Sequence, residues 1–231
     1  MSPIINIAKI TKVIGSNLVF KDFSLDLHSG DRTMLLGANG VGKSTLLKMI
    51  VGLTRPDSGS IIRQFSQSDC GYVSHEPLIY GSMKVLEALE LYRRFFNVSQ
   101  SRYLTALKEF KLDLVSDRRV SSLSKGQQAK VGLLRALINN PKVLVFDEPT
   151  ASLDDDSVSI LRQHWLDSSA QVGGCAILAT HDISRVQGYF NRVVVLGNNR
   201  ILSDSRSLEL QGERVDKACE LSINLYRGVN R

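Results

Sequence analysis

Gly37-Ala38-Asn39-Gly40-Val41-Gly42-Lys43-Ser44-Thr45 is the stretch that decides how this chain reads. Ahead of it, Thr33-Met34-Leu35-Leu36 is apolar enough for a buried strand; behind it, Leu46-Leu47-Lys48-Met49-Ile50 has helical character. Strand, glycine-rich turn and helix, in that order, are the context of a phosphate-binding loop. The glycines let successive backbone N–H groups curl towards an anion, and the helix start adds its positive end. In this pattern Lys43 reaches the β- and γ-phosphates of a nucleotide, and the Ser44 hydroxyl is a Mg²⁺ ligand. A glycine-rich turn with an ordinary surface lysine would leave the agreement of spacing, chemistry and context unexplained. The stretch implies a nucleoside triphosphate site.

The 231 residues suit one domain with room for a smaller lobe. Hydrophobic residues make up 43% and charged residues 23%, the balance of a globular protein. The net charge of +6 is spread along the chain, so no basic segment points to nucleic acid or anionic lipid. Cys70, Cys175 and Cys219 are far apart, without metal or redox spacing, as expected of reduced thiols. The first residues lack the pattern of a signal peptide, and no apolar run is long enough to cross a bilayer. The expected location is cytoplasmic, and any membrane role requires another chain to supply the membrane part.

Outward from the phosphate loop, residues 4–10 and 17–27 read as strands, followed by a turn at Ser29-Gly30-Asp31. Residues 60–65 and 70–74 read as short strands. From Lys84 the pattern changes: Val85, Leu86, Leu89, Tyr92 and Phe96 recur at helical spacing, as do Tyr103, Leu104, Leu107 and Phe110. This predicts a helical lobe, residues 76–141, inserted into an α/β core of residues 1–75 and 142–231. A further helix is expected from Ser124 to about Asn139, ended by Pro141. Val143-Leu144-Val145-Phe146 and Cys175-Ala176-Ile177-Leu178-Ala179 read as fully buried parallel strands, with a helix at 156–167 between them. Residues 192–203 predict a hairpin around Gly197-Asn198-Asn199, and the tail from Ser205 is expected to be partly helical.

Chemistry gathers at the ends of the apolar strands. Asp147 ends one of them, where open α/β sheets bind ligands, and reads as a second Mg²⁺ anchor acting through Ser44 or water. The adjacent Glu148 is a candidate to polarise the water that attacks a γ-phosphate. His181 follows the next strand and is a candidate to hold that water or the γ-phosphate. Ser124-Lys125-Gly126-Gln127 has two compatible readings: a capping box, and an anion site at a helix N-terminus.

The phosphate loop, Leu-Ser-Lys-Gly-Gln at 123–127, Val-Leu-Val-Phe-Asp-Glu-Pro-Thr at 143–150, Ser-Leu-Asp at 152–154 and Thr-His-Asp at 180–182 together resemble the ATP-binding cassette ATPases. The resemblance covers nearly the whole chain. It implies a P-loop NTPase (RecA-like) core with an antiparallel β lobe and an inserted helical lobe. It also implies ATP and Mg²⁺ as ligands, and a second cassette, in a homodimer or heterodimer, that closes over two nucleotides. Residues 37–45 would bind the nucleotide of their own chain, while Ser124, Gly126 and Gln127 would face the γ-phosphate on the partner cassette. Asp154 would lie at the interface between cassettes, and His181 would be the switch histidine.

Three positions depart from the family pattern. Lys125 stands where glycine is usual in the signature. Ile14 stands where many members stack an aromatic on adenine, so it offers apolar contact only. His75 stands where a glutamine commonly touches the Mg²⁺ site, and a histidine is the poorer Mg²⁺ ligand. These three features also occur in small exporter cassettes, including the ATPase of the cytochrome c maturation system, often called a haem exporter. The leading expectation is the ATPase subunit of a transporter, peripheral on the inner face of a membrane. It would drive a separate polytopic permease docked near residues 75–84, where Leu78, Ile79 and Tyr80 offer apolar contact. A soluble cassette acting on nucleic acid or ribosomes is disfavoured by the short spacing between motifs and by the lack of a basic, aromatic-rich segment. A regulatory protein that uses ATP-driven dimerisation as a switch stays open.

Overall fold

The computed structural model describes residues 2–74, 78–181, 183–186 and 188–206. Its centre is a six-stranded sheet in the order β5-β6-β7-β3-β8-β9. The strands are β3 (Arg32–Leu36), β5 (Cys70–Val73), β6 (Val143–Asp147), β7 (Cys175–Ala179), β8 (Arg192–Gly197) and β9 (Arg200–Arg206). All neighbours are parallel except β8 and β9, which form the expected hairpin. A separate antiparallel sheet, β2-β1-β4, combines β1 (Ile5–Ile14), β2 (Asn17–Leu27) and β4 (Ser58–Arg63). β1 runs four residues beyond the sequence expectation because cross-strand pairing continues to Ile14 opposite Asn17.

Among the described residues five α-helices accompany the sheets: α1 (Lys43–Ile50), α2 (Val85–Phe95), α3 (Gln100–Glu109), α4 (Lys125–Leu137) and α5 (Asp155–Ala170). Side chains alternate across a strand, so each central strand feeds two cores. Met34, Leu36, Leu144, Phe146, Ala176 and Leu178 face α4, α5 and the residues of α2 and α3. Leu35, Val143, Val145, Ile177 and Ala179 face α1 and the antiparallel sheet. This explains why β6 and β7 are apolar at every position up to Asp147: both faces are covered. Val85, Ala88 and Leu89 are the buried positions of α2, and Tyr103 and Leu107 those of α3, as the helical spacing requires. Among the described residues no helix is long and apolar enough to cross a membrane. The expected helical character of the tail, and His75, fall outside the described residues.

Two buried charges of opposite sign, Asp31 and Arg192, meet at the joint between the two sheets. Asp31 accepts from the His28 N–H at 2.9 Å, from Arg192 Nη1 at 2.9 Å and from Arg206 at 2.9 and 3.0 Å. Arg192 also forks onto Asp204 at 2.8 and 2.6 Å and donates to the Asp26 carbonyl of β2. Its side chain is 4% exposed and that of Asp31 8%. The sequence shows Asp31 only as a turn residue; its ion-pair role comes from strands that are adjacent in space. Breaking a buried pair leaves a desolvated charge, so Asp31→Ala is expected to cost about 3–5 kcal/mol in urea unfolding. A loss within about 1 kcal/mol would equate it with a surface pair.

Candidate nucleotide-binding site

Strands β6, β7 and β3 lie side by side and run the same way. Asp147 is level with Ala179, and Ala179 with Leu35. One or two residues past these points come Glu148, His181 and Gly37. The register therefore brings together, at the carboxyl edge of one sheet, the phosphate loop and the three side chains singled out for chemistry.

The loop itself depends on close packing. Gly42, at φ 109°, directly precedes α1 and has no side-chain cap; a Cβ there would come within 2.6 Å of Val19 Cγ1 and 2.8 Å of Phe20 Cζ. The first turn of α1 contains no acidic residue, so its N–H groups face the loop without a competing carboxylate. Lys43 is 7% exposed, and its Nζ donates to the Gly37 carbonyl at 2.7 Å and the Ala38 carbonyl at 3.2 Å. Burial lowers the Lys43 pKa, opposed by the nearby charges of Glu148 and Asp147. Ser44 is exposed beside it.

Asp147 is buried at the end of β6, and none of the described residues donates a hydrogen bond to its carboxylate. Glu148 sits in the left-handed region at φ 54°, a conformation that costs a non-glycine residue about 1–3 kcal/mol. Two bonds hold it there: its N–H donates to the Ala179 carbonyl at 2.9 Å, and its Oε2 accepts from the His181 N–H at 3.1 Å. Glu148 Oε1 is buried and lies 3.2 Å from His181 Nε2, without the alignment of a hydrogen bond. A buried carboxylate oxygen lacking a donor is a ready acceptor for a water proton.

Ser124 is the N-cap of α4, and the capping box is complete: its hydroxyl accepts from the Gln127 N–H at 3.2 Å, and Gln127 Oε1 accepts from the Ser124 N–H at 3.1 Å. Gly126 approaches the loop after Glu148 so closely that a Cβ would lie 3.0 Å from the Ser152 carbonyl. Within one chain no hydrogen bond joins Ser124, Gly126 or Gln127 to residues 37–45 among the described residues. Ile14, 52% exposed, ends β1 beside the exposed Val13 and Leu18. The hairpin it belongs to packs Val19 and Phe20 against Gly42.

Asp154 caps α5 by accepting from the Ser157 N–H and pairs with Lys130 of α4 at 2.6 Å, which holds its carboxyl well below the usual range. The next two aspartates also have partners: Asp155 pairs with Arg185 at 2.7 Å and Asp156 with Lys111 at 2.8 Å. Asp155 and Asp156 did not stand out in the sequence, because their partners, Arg185 and Lys111, lie on distant segments and follow no spacing rule.

A glycine-rich loop on a strand–helix turn, beside two strand-end carboxylates, defines a P-loop nucleotide-binding protein. Residues 20–151 match the ABC transporter family. The chain is 32% identical over 237 residues to the Nod factor export ATP-binding protein I of Rhizobium etli, covering 97% of this chain and 74% of that one. It is 31% identical over 223 residues to the spermidine/putrescine import ATP-binding protein PotA of Aggregatibacter actinomycetemcomitans, covering 91% of this chain but only 60% of that one. In fold it is similar to the solved ATP-binding subunit of an ABC transporter, with TM-score 0.80 and 24% identity over 95% of this chain and 99% of that one. The chain belongs to the ABC transporter family.

If close approach at Gly42 maintains the phosphate cradle, Gly42→Ala will weaken nucleotide binding by about tenfold or more. A Cβ on Gly40 meets nothing within 4 Å, so Gly40→Ala should lose less, through backbone strain alone. Equal losses in a nucleotide titration would refute the packing argument.

Proposed function

We propose that this chain binds and hydrolyses ATP with Mg²⁺ and energises a separate polytopic permease through ATP-driven pairing of two cassettes. The observation that carries the chemistry is the undonated, buried Oε1 of Glu148 at the strand-end cluster. In this reading Lys43 leaves its carbonyl partners for phosphate oxygens, and the free N–H groups at the α1 start bind the rest of the anion. Ser44 and Asp147 would hold Mg²⁺, which would supply charge neutralisation at the phosphates. The donor set fits, since Asp147 is a carboxylate without a described donor. His75 is assigned to the same ion on the resemblance alone. Glu148 takes the proton of the attacking water, and His181 orients that water or the γ-phosphate.

Ile14 contacts the nucleobase, and Ser124, Gly126 and Gln127 act on the nucleotide of the facing cassette. The core comprises 1–75 and 142–231 and the helical lobe 76–141. The chain works at the inner face of the membrane. The finer reading, an exporter of the haem or cytochrome c maturation type, draws on Ile14, His75 and Lys125. The relatives named above are a polyamine importer and a Nod factor exporter, and their cargoes lend the haem type no support.

Lys43→Ala is expected to abolish nucleotide binding, whereas Glu148→Gln should bind ATP, lose turnover and accumulate as a closed dimer on gel filtration. Undiminished affinity in the first variant, or full turnover in the second, would remove that residue from its role. Purification of the tagged chain in mild detergent from its own cells should recover a polytopic membrane protein in near-equal amount. Recovery only with soluble partners would overturn the transport reading and leave the ATPase chemistry intact.

A further inference from the structure

Arg185 belongs to none of the motifs, yet it spans the site from behind. It lies four residues beyond His181. Its Nη1 donates to the Thr150 carbonyl at 2.6 Å; its Nη2 donates to the Leu153 carbonyl at 3.0 Å and to Asp155 Oδ1 at 2.7 Å. One guanidinium thus joins the loop that leaves Glu148 to the segment that follows His181. The anchor is itself anchored. Arg162 of α5 donates to the Arg185 carbonyl from Nε at 2.8 Å and also from Nη2, and its guanidinium lies 4.9 Å from the centre of the Tyr189 ring.

The three bonds are unequal. The Asp155 side chain is 99% exposed, so that ion pair is screened and contributes little. The Arg185 side chain is 24% exposed, and its bonds to two carbonyl oxygens are charge-assisted. A planar fork can serve both carbonyls at once, whereas a lysine ammonium acts as a single point charge on a flexible stem. None of these bonds reaches the phosphate loop, so the contact bears on the geometry of Glu148 and His181 rather than on the binding of nucleotide.

We infer that Arg185 is a positioning residue for hydrolysis. It ties residues 149–153 to residues 183–186 and thereby fixes the Glu148 carboxylate against His181. The inference rests on the hydrolytic reading above, and its test separates the two. Arg185→Ala, Arg185→Lys and Asp155→Ala are compared in the full chain by thermal melting, nucleotide affinity, kcat for ATP, and amide hydrogen exchange over both segments.

Arg185→Ala is expected to speed exchange in both segments together and to lower kcat about tenfold, as misplaced catalytic groups do. Its nucleotide affinity should stay within about twofold of the parent's, the split of a residue that acts on turnover alone. Arg185→Lys should fall between, and Asp155→Ala should match the parent. Unchanged exchange or unchanged kcat in folded Arg185→Ala overturns the proposal, as does a parallel loss of affinity and kcat. If Arg185→Ala does not fold, Arg185→Lys decides in the same way: faster exchange with lowered kcat supports the role, and parent-like values overturn it. A parent chain that turns over no ATP ends the hydrolytic reading and the catalytic purpose of Arg185 with it, while faster exchange would still identify the clamp.

Discussion

Everything at this site depends on the parallel pairing of three strands. Backbone bonds set Leu35, Ala179 and Asp147 at one level, and the chemistry-bearing residues follow within two positions of that line. Because the side-chain repeat of a strand is two, a slip of one residue in β6 would exchange the two cores and turn Asp147 to the opposite face. The buried register of β6 and β7, with every residue inside, is what prevents the slip. Hydrophobic packing thus sets the position of a carboxylate.

That packing also sustains strain. Glu148 is held at φ 54° with one carboxylate oxygen bonded and the other without an aligned donor. A backbone in that region and an unsatisfied buried oxygen each cost stability. They persist because the Ala179 carbonyl and the His181 N–H fix the residue from the neighbouring strand. The same economy governs Lys43, whose ammonium is desolvated but bonded to the loop's own carbonyls.

The elements legible in sequence were those whose cause is local. The phosphate loop, the apolar runs of β6 and β7, the periodicity of α2 and α3 and the Ser124–Gln127 cap each follow from residues within a few positions of one another. The antiparallel sheet was legible from the residues as separate strands and as a sheet only through the family resemblance: β4 pairs with β1 across about fifty residues, and no turn connects them. The ion pairs of Asp31, Asp155 and Asp156 were invisible for the same reason, since each partner is set by tertiary proximity. Arg185 illustrates the limit. Its three acceptors lie some thirty residues upstream and two are backbone carbonyls, a kind of partner that side-chain identity never announces.

The joint around Asp31 bears on where this fold can be cut. Arg206, the last residue of β9, supplies two of the hydrogen bonds on Asp31, and Asp204 receives the fork of Arg192. A shortened version ending in the β8–β9 turn would keep every nucleotide motif and all five parallel strands. It would nonetheless leave one arginine and one aspartate of the interior without half their partners. The autonomous unit of this protein therefore reaches beyond its last motif, at least to Arg206 at the end of β9.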